Sequence, residues 1–395
     1  MKRFFTFILL ICSAVLSYAY TDFVADGIAY SINSDGKTVS VTNLNTTGWN
    51  WKSWNNYEDV TIEVPPTVSN DDVTYEVTAI GSMAFSNSHN LTSVTLPTTI
   101  KKIESYAFSC CDKLTELILP DGLEVIEGWT FFNCRLNKLV IPPSLKTIGG
   151  AAFYSEISGG GATNVYITDL SAWLKIDFKD ESSNPTKMNF FLNDEPIVHL
   201  VIPDDITIIN NNALKYVDCE SVIVPNHVTS IGNYAFYGCK AETIIIGDGV
   251  KTIGSWALSY CSYKTIELGA NVETIETPNF NNIPNFTTVI CHSITPPVIS
   301  GGQAFTYFHG RDDDEDDYNL ATKKLIITQG AKDAYINAYK WKEFGTIIEN
   351  APTIINESTA SIKTEETTYY NLQGQLLQYP THGLYIVNGK KVFIK

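Results

Sequence analysis

One phrase returns along this chain and limits what it can fold into. It is an apolar residue, then Ile three positions on, then a small residue four further, followed at once by an aromatic residue or Leu. It reads Val77, Ile80, Ala84, Phe85, and returns as Ile100, Ile103, Ala107, Phe108, as Leu123, Ile126, Thr130, Phe131, and as Leu145, Ile148, Ala152, Phe153. After an interruption between residues 153 and 202 it resumes as Ile206, Ile209, Ala213, Leu214, then Val228, Ile231, Ala235, Phe236, then Val250, Ile253, Ala257, Leu258. A worn last copy is Val272, Ile275, Asn279, Phe280. Outside the interruption the Ile positions lie 22 or 23 residues apart. A period of that length denotes a solenoid, whose units bury their apolar faces on one another. The core of such an array is scaffold, so function belongs to its surface, its insertions and its ends.

One unit is clearest at residues 91–113. Leu91, Val94 and Leu96 mark a short alternating strand. Pro97 ends it, since proline cannot donate to a ladder. Ile100 and Ile103 face inward across a second extended stretch, and residues 105–108 turn tightly, with Ala107 small and Phe108 filling the core. The corner after the strand carries Pro65, Pro120, Pro142, Pro203 and Pro225, and Gly247 and Gly269 in later units. Roughly nine to ten rungs at about 4.8 Å predict a rod about 45 Å long.

Both ends and the interruption have their own signals. Lys2 and Arg3 precede an apolar stretch, 4–16, too short to span a bilayer, and Ser17-Tyr18-Ala19 fits a cleavage site. Residues 1–19 therefore read as a signal peptide cleaved near Ala19. The alternative, lipidation at Cys12, is disfavoured by the bulky Ile11 before it. Residues 20–59 are expected to form an N-terminal capping hairpin region about Ser34-Asp35-Gly36. The solenoid is expected over 60–349, with an insertion at 154–199 and a terminal helix at 331–343. Within the insertion, Val165 and Ile167 resemble a rung strand, Asp169 is placed to cap a short helix with Leu170, Trp173 and Leu174 on one face, and Asn193-Asp194 suggests a hairpin between residues 190–192 and 197–199. Residues 301–319 read as a long loop. Residues 350–367 are Ser/Thr/Glu-rich and read as a linker, and 368–395 as a small β module with Asn388-Gly389 at a hairpin turn.

Composition narrows the classes. Only 18% of the 395 residues are charged and 12% are aromatic, a composition that folds. The formal charge of −16, with no basic stripe, argues against nucleic acid and against anionic membranes. No second apolar stretch reaches membrane-spanning length, and the rod is expected to be monomeric. Seven cysteines remain after the signal, an odd number, so complete internal pairing is impossible. Cys111, Cys134, Cys239 and Cys261 each follow the small residue of the phrase by four positions. Disulfides or metal thiolates would explain this, but a ladder of small buried residues explains it better.

These residues resemble the BspA-like leucine-rich repeats of Bacteroidetes surface proteins. The resemblance is carried by LTSVTLP at 91–97 followed by Ile103 and Ala107-Phe108, by Gly238-Cys239 after an Ala-Phe pair, by YEVTAIG at 75–81, and by GAKDAY at 330–335 with WKEF at 341–344. It covers roughly residues 22–350. The tail, YNLQG at 370–374 with GLYIVNGKK at 383–391, is similar to short C-terminal β modules of secreted proteins of that phylum, some of which direct type IX secretion. The resemblance implies a β-rich solenoid, a leucine-rich-repeat array of about 22–23-residue units, with short helices in insertions and a small C-terminal β module. It further implies a secreted or cell-surface protein, some relatives being adhesins, and leaves the ligand open.

No catalytic constellation is evident. The six histidines show no metal-ligand spacing, and no nucleophile elbow, zinc helix or phosphate loop occurs. No enzyme activity and no cofactor is therefore expected. Asp312, Asp313, Asp314, Glu315, Asp316 and Asp317 offer oxygen ligands to Ca²⁺ but lack the spacing of an EF-hand loop, and read better as a solvated run. Trp49, Trp51 and Trp54 cluster near the N-terminal cap, either to stack on a ligand or, the preferred reading, to cover the open end of the core. A hydrolase site in the insertion would have to use Asp169, Asp177 and Glu181, which nothing marks as an acid–base pair. The expected function is macromolecular interaction with an extracellular protein. Glycan binding through exposed aromatics is the alternative, and a purely structural surface role is a further one.

Overall fold

Each repeat of the phrase closes one coil, and backbone hydrogen bonds join successive coils in the strands and in the turns. The structure, a computed structural model, describes residues 22–44, 57, 60–156, 161–301, 304–308, 315–317 and 320–349, and the backbone of four further strands between 369 and 394. It is a β-solenoid of about 11 turns. One ladder is built from two-residue strands around the phrase Ile: Lys102–Ile103, Val125–Ile126, Thr147–Ile148 and Asp177–Phe178, all parallel, continue the strand Val73–Ile80. A facing ladder is built from longer strands, among them Glu116–Ile118, Lys138–Ile141 and Gly161–Ile167. In the regular coils five or six residues lead from the long strand to the short one, and eleven or twelve from the short strand to the next long one.

The phrase explains the packing. Ile80, Ile103, Ile126 and Ile148 are fully buried, as are Ala84, Ala107, Thr130 and Ala152. The residue after each small one fills the core, and the rings stack from coil to coil: Phe85 on Phe108 at 5.1 Å, Phe108 on Phe131 at 5.4 Å, Phe131 on Phe153 at 5.1 Å. The small residue is fully buried beside the core rings, and its carbonyl takes the N–H of the aromatic residue one coil back, as Phe85 N donates to Ala107 O at 2.7 Å and Phe108 N to Thr130 O at 2.9 Å. Gly269 shows the same closeness at a corner, where a Cβ would stand 2.3 Å from the carbonyl oxygen of Gly247. Exposed ion pairs such as Lys102–Glu127 (2.6 Å) and Lys146–Glu124 (2.7 Å) also link coils, but in water each adds at most about 1 kcal/mol.

The interruption proves to be part of the stack. Gly161–Ile167 pairs in parallel with Lys138–Ile141, and Thr186–Leu192 pairs in parallel with Gly161–Ile167. The phrase vanishes here because a helix, Leu170–Leu174, replaces the usual turn. Asp169 caps it, accepting from Ala172 N at 3.0 Å, and Leu170, Trp173 and Leu174 are buried as the spacing predicts. These extra coils account for about 11 turns where roughly nine to ten were expected. The hairpin at Asn193-Asp194 forms, but its second strand is Glu195–Pro196 and not residues 197–199. His199–Val201 instead begins a new seven-stranded parallel sheet, and Ile208–Ile209 a new five-stranded one.

The ladders stop there but the core does not. Trp173 Nε1 donates to Ala213 O at 2.8 Å, Asn210 Nδ2 to Ile176 O at 3.2 Å, and Ile197 N to Phe190 O at 3.1 Å. Lys175 pairs with Asp205 at 2.6 Å, and one apolar cluster runs from Ile28 to Phe344.

Each end is plugged. At the N-terminal end the strands Phe23–Ala25, Ile28–Ile32 and Thr38–Thr42 form an antiparallel meander. Tyr57 stacks on Phe85 at 4.9 Å, donates to Thr42 O at 2.8 Å and is 1% exposed. Trp49, Trp51 and Trp54 lie outside the described residues. At the other end, the expected helix over 331–343 is two short helical turns, Lys332–Tyr335 and Trp341–Glu343, separated at Lys340 by a left-handed φ of 63°. A further strand, Thr346–Glu349, adds to the sheet beyond them. The stretch expected as a loop over 301–319 contains a strand pair, Thr306–Phe308 antiparallel to Glu315–Asp317. In the tail, Gly383–Val387 pairs with Lys390–Ile394 across Asn388-Gly389, within a four-stranded antiparallel sheet.

Phe108 sits mid-stack and is fully buried. Phe108→Ala should cost about 3–5 kcal/mol, read as a shifted midpoint in urea unfolding. A loss below about 1 kcal/mol would contradict the stacked core.

Candidate functional site

The turn that carries the small residue also carries two left-handed residues. One precedes the small residue: Met83, Tyr106, Trp129, Ala151, Asn212, Tyr234 and Trp256 have φ between 52° and 63°. The other lies four positions later: Asn87, Cys110, Asn133, Tyr216, Gly238 and Tyr260 have φ between 57° and 70°. Asn and Gly suit these positions, whereas a bulky ring there costs roughly 1–2 kcal/mol. Six of the residues named are nonetheless Tyr or Trp, and they gather into two clusters along one edge of the stack.

In the first cluster Tyr106 stacks on Trp129 at 6.0 Å, and Trp129 meets Phe132 and Tyr154 edge-on at 5.3 and 6.1 Å. In the second, Tyr234 stacks on Trp256 at 6.1 Å, while Tyr237 meets Tyr216 at 5.5 Å and Tyr260 at 4.9 Å. Lys215 lies beneath this second group. It is 7% exposed, its Nζ lies 5.1–5.3 Å from the ring centroids of Tyr216, Tyr234 and Tyr237, and it donates to Glu181 O at 2.8 Å. Burial, and next the Glu181 carboxylate, raise the pKa of Tyr216 and Tyr234, and burial raises that of Tyr237. All three therefore keep their hydroxyl protons at neutral pH.

Between the clusters the segment 180–184 crosses the edge. Asp180 Oδ1 accepts from Ala151 N at 3.2 Å, and Asn184 Nδ2 donates to Asn212 O at 2.6 Å. This fastens Glu181 and Ser182 as one wall of a cleft of about 280 Å³ whose other walls are the rings of the second cluster. Of the carboxylates considered for hydrolysis, Asp169 caps the helix and Asp177 is paired with Lys179; Glu181 alone lines the cleft.

A second surface lies on the outer side of the long ladder. A sheet face left to solvent is expected to carry polar residues, whether its strands are parallel, as here, or not. Here successive outward positions in register are Ile118, Val140, Tyr166 and Phe191 in one half and Val201, Ile223, Ile245, Glu267, Ile290, Ile326 and Ile348 in the other. Val201 and Ile223 are buried in a small cluster with Ile245, and Ile290 and Ile326 are half-buried. Their inward neighbours Leu117, Leu139, Val165, Ile244, Val289 and Leu325 are buried. Ile118 is 64% and Ile348 38% exposed. Glu267 is the polar exception in this column; it is half-buried and its Oε1 is hydrogen-bonded to His292 Nε2 at 2.7 Å.

The cysteine column is a thiol ladder. All seven described cysteines are free. Cys111 Sγ donates to Phe85 O at 3.1 Å, Cys134 to Phe108 O at 3.0 Å and Cys261 to Phe236 O at 3.2 Å. Burial pushes the Cys111 thiol up to about 12 and Cys134 and Cys261 well above their ordinary value. Among the described residues no three His, Cys, Asp or Glu side chains gather to hold a metal ion. Asp312, Asp313 and Asp314 lie outside the described residues, and Glu315, Asp316 and Asp317 are described only as strand backbone.

Sequence reasoning missed both the aromatic clusters and the outward column. The signal was present down the repeat, in the residue before each small one and in alternate residues of each strand, and is hidden when the chain is read end to end.

Coils of this length with parallel ladders and a buried phrase define a leucine-rich-repeat solenoid. The BspA type leucine rich repeat region matches in six copies, over residues 67–158 and 181–306, more than half of the chain, which therefore belongs to that family. A leucine-rich repeat protein from Bacteroides ovatus shares the fold, with 19% identity, a TM-score of 0.56, and coverage of 83% of this chain and 76% of that one. Lesser likenesses are to a leucine-rich repeat protein from Eubacterium ventriosum (18% identity, TM-score 0.41, 85% and 97% covered) and a leucine rich cell surface protein from Faecalibacterium prausnitzii (15%, 0.34, 84% and 95%). No curated protein matches. No helix among the described residues is long and apolar enough to cross a membrane.

Two outcomes follow. Lys215→Ala should destabilise the chain by about 2 kcal/mol or more, because three cation–π contacts and a hydrogen bond go together; a change under about 0.5 kcal/mol in chemical denaturation would contradict that. Brief maleimide treatment of the native chain at pH 8, read by mass spectrometry, should label Cys110, the only one of the seven not buried, before the others. Equal labelling of Cys111, Cys134 and Cys261 would contradict the thiol ladder.

Proposed function

We propose that this is a secreted or cell-surface repeat protein, without catalytic activity, that mediates macromolecular interaction in the manner of an adhesin, with an extracellular protein as its partner. The observation that supports this is the outward apolar column of the long ladder. A solvated sheet face gains nothing from Ile290, Ile326 and Ile348 in register, whereas a contiguous apolar column, half-buried at Ile290 and Ile326 and exposed at Ile348, suits a protein partner. Residues 1–19 would serve as the export signal and 368–395 as a sorting module at the surface. The acidic net charge of −16 keeps such a rod soluble outside the cell.

The test uses the purified chain on intact host and bacterial cells, with bound protein read by flow cytometry. The double variant Ile290→Lys with Ile326→Lys should reduce binding about tenfold, equivalent to roughly 1.4 kcal/mol, while the melting temperature stays close to that of the parent. Absence of binding to any surface, or binding unchanged in the double variant, would contradict the reading.

A further inference from the structure

The second aromatic cluster is unlike the first, because the segment 180–184 turns it from a patch into a cleft. We propose that this cleft binds a neutral glycan, with a pyranose ring laid against Trp256 and Tyr260 and its hydroxyls toward Glu181 and Ser182. The inference is independent of the protein-binding reading, since the cleft and the outward sheet column are separate groups of residues.

Four of the rings at the cleft, on Tyr216, Tyr234, Trp256 and Tyr260, sit at φ of 56–60°. Equivalent positions elsewhere in the chain carry Asn87, Asn133 and Asn212, which the left-handed region tolerates, together with Met83, Cys110, Ala151 and the first cluster's Tyr106 and Trp129. The chain therefore places four costly aromatic residues together at a stretch of this edge where, among the described residues, Glu181 and Ser182 form a facing wall. The rings are not a single parallel stack: Trp256 meets Tyr237 at 68° and Tyr260 at 37°. They span three successive coils, about 10 Å along the axis.

The lining selects the ligand. A pyranose has a face of C–H bonds that packs on aromatic rings and a rim of hydroxyls that needs hydrogen-bond partners. The cleft offers ring faces, phenol hydroxyls, the Ser182 hydroxyl and the Glu181 carboxylate. A cationic ligand of the aromatic-cage kind is not the fit, because Lys215 Nζ already occupies the point 5.1–5.3 Å from three rings. An anionic glycan meets the Glu181 carboxylate and a chain of charge −16. Glu181 is the single carboxylate of the lining, so the cleft has no acid and base pair for hydrolysis and binds without cleaving. At about 280 Å³ it takes one or two sugar units of a longer chain.

The test is affinity electrophoresis of the full chain in native gels containing neutral polysaccharides (a β-glucan, a xylan, a mannan and a dextran), with polygalacturonate as the anionic comparison. At least one neutral gel should retard the chain. Trp256→Ala and Tyr260→Ala should each weaken that retardation about tenfold or more, and Trp129→Ala, in the first cluster, should leave it unchanged. Tyr260 is 41% exposed, so its variant carries the result even where Trp256→Ala does not fold. Retardation by no neutral gel, retardation by polygalacturonate alone, or retardation undiminished in Tyr260→Ala would overturn the proposal. So would loss of binding to a protein in Trp256→Ala when no neutral gel retards the parent chain, which would assign the cleft to a protein.

Discussion

The structure depends on one constraint: no coil of this chain can bury its own apolar residues, so every coil must lie on another. Ile103 and Ala107 are fully buried only because the coils carrying Ile80 and Ile126 stand on either side. The backbone obeys the same constraint, since N–H groups in the strands and in the turns are satisfied one coil away. From this follow the small residue beside each core ring, the glycines at close corners, the thiols bonded to the previous coil, and the need for end plugs. Tyr57 and the pair Trp341 and Phe344 answer that last need by continuing the interior with large side chains, Tyr57 on Phe85 and Phe344 against Phe305.

The two surfaces proposed to bind lie where the repeat departs from what stacking requires. An Asn or Gly would close the turn at the position of Trp256 or Tyr260, and a Thr would serve on the outer sheet face at the position of Ile290 or Ile326. The departures are local and in register from coil to coil, which is how a quasi-one-dimensional fold builds an extended surface without disturbing its core. The insertion has a double part in this. Its helix and strands carry the core across 154–199 through Trp173, and its segment 180–184 raises a wall against the rings of the following coils.

Much of this was legible in the residues, and what was not has physical reasons. The Ile–Ala–Phe phrase predicted the buried faces, because burial in a repeat imposes strict spacing. Asp169 and the triplet Leu170, Trp173, Leu174 predicted a capped amphipathic helix, because capping and facing are local. Of the two strands inside the insertion, the one at Val165 and Ile167 was legible as a rung, whereas 186–192 read only as half of a hairpin, because the phrase is missing once a helix replaces the turn that carries it. The terminal helix was overextended, because Lys340 takes a left-handed conformation that spacing does not announce. The strand of residues 315–317 was hidden by its charge, since a run of Asp and Glu reads as solvated whatever its backbone does. Attention went to Trp49, Trp51 and Trp54 because they are neighbours in sequence, whereas Tyr216, Tyr234, Trp256 and Tyr260 are neighbours only once the coils are stacked.

The central claim is that the stack is continuous through the interruption, and hydrogen exchange of the full chain, followed by mass spectrometry, tests it most directly. The amides of 161–167 and 186–192 should be protected to the same degree as the ladders around Ile126 and Ile231, because all are bonded from coil to coil. Exchange of those insertion amides at the rate of an unstructured loop, with the two flanking halves protected separately, would contradict it.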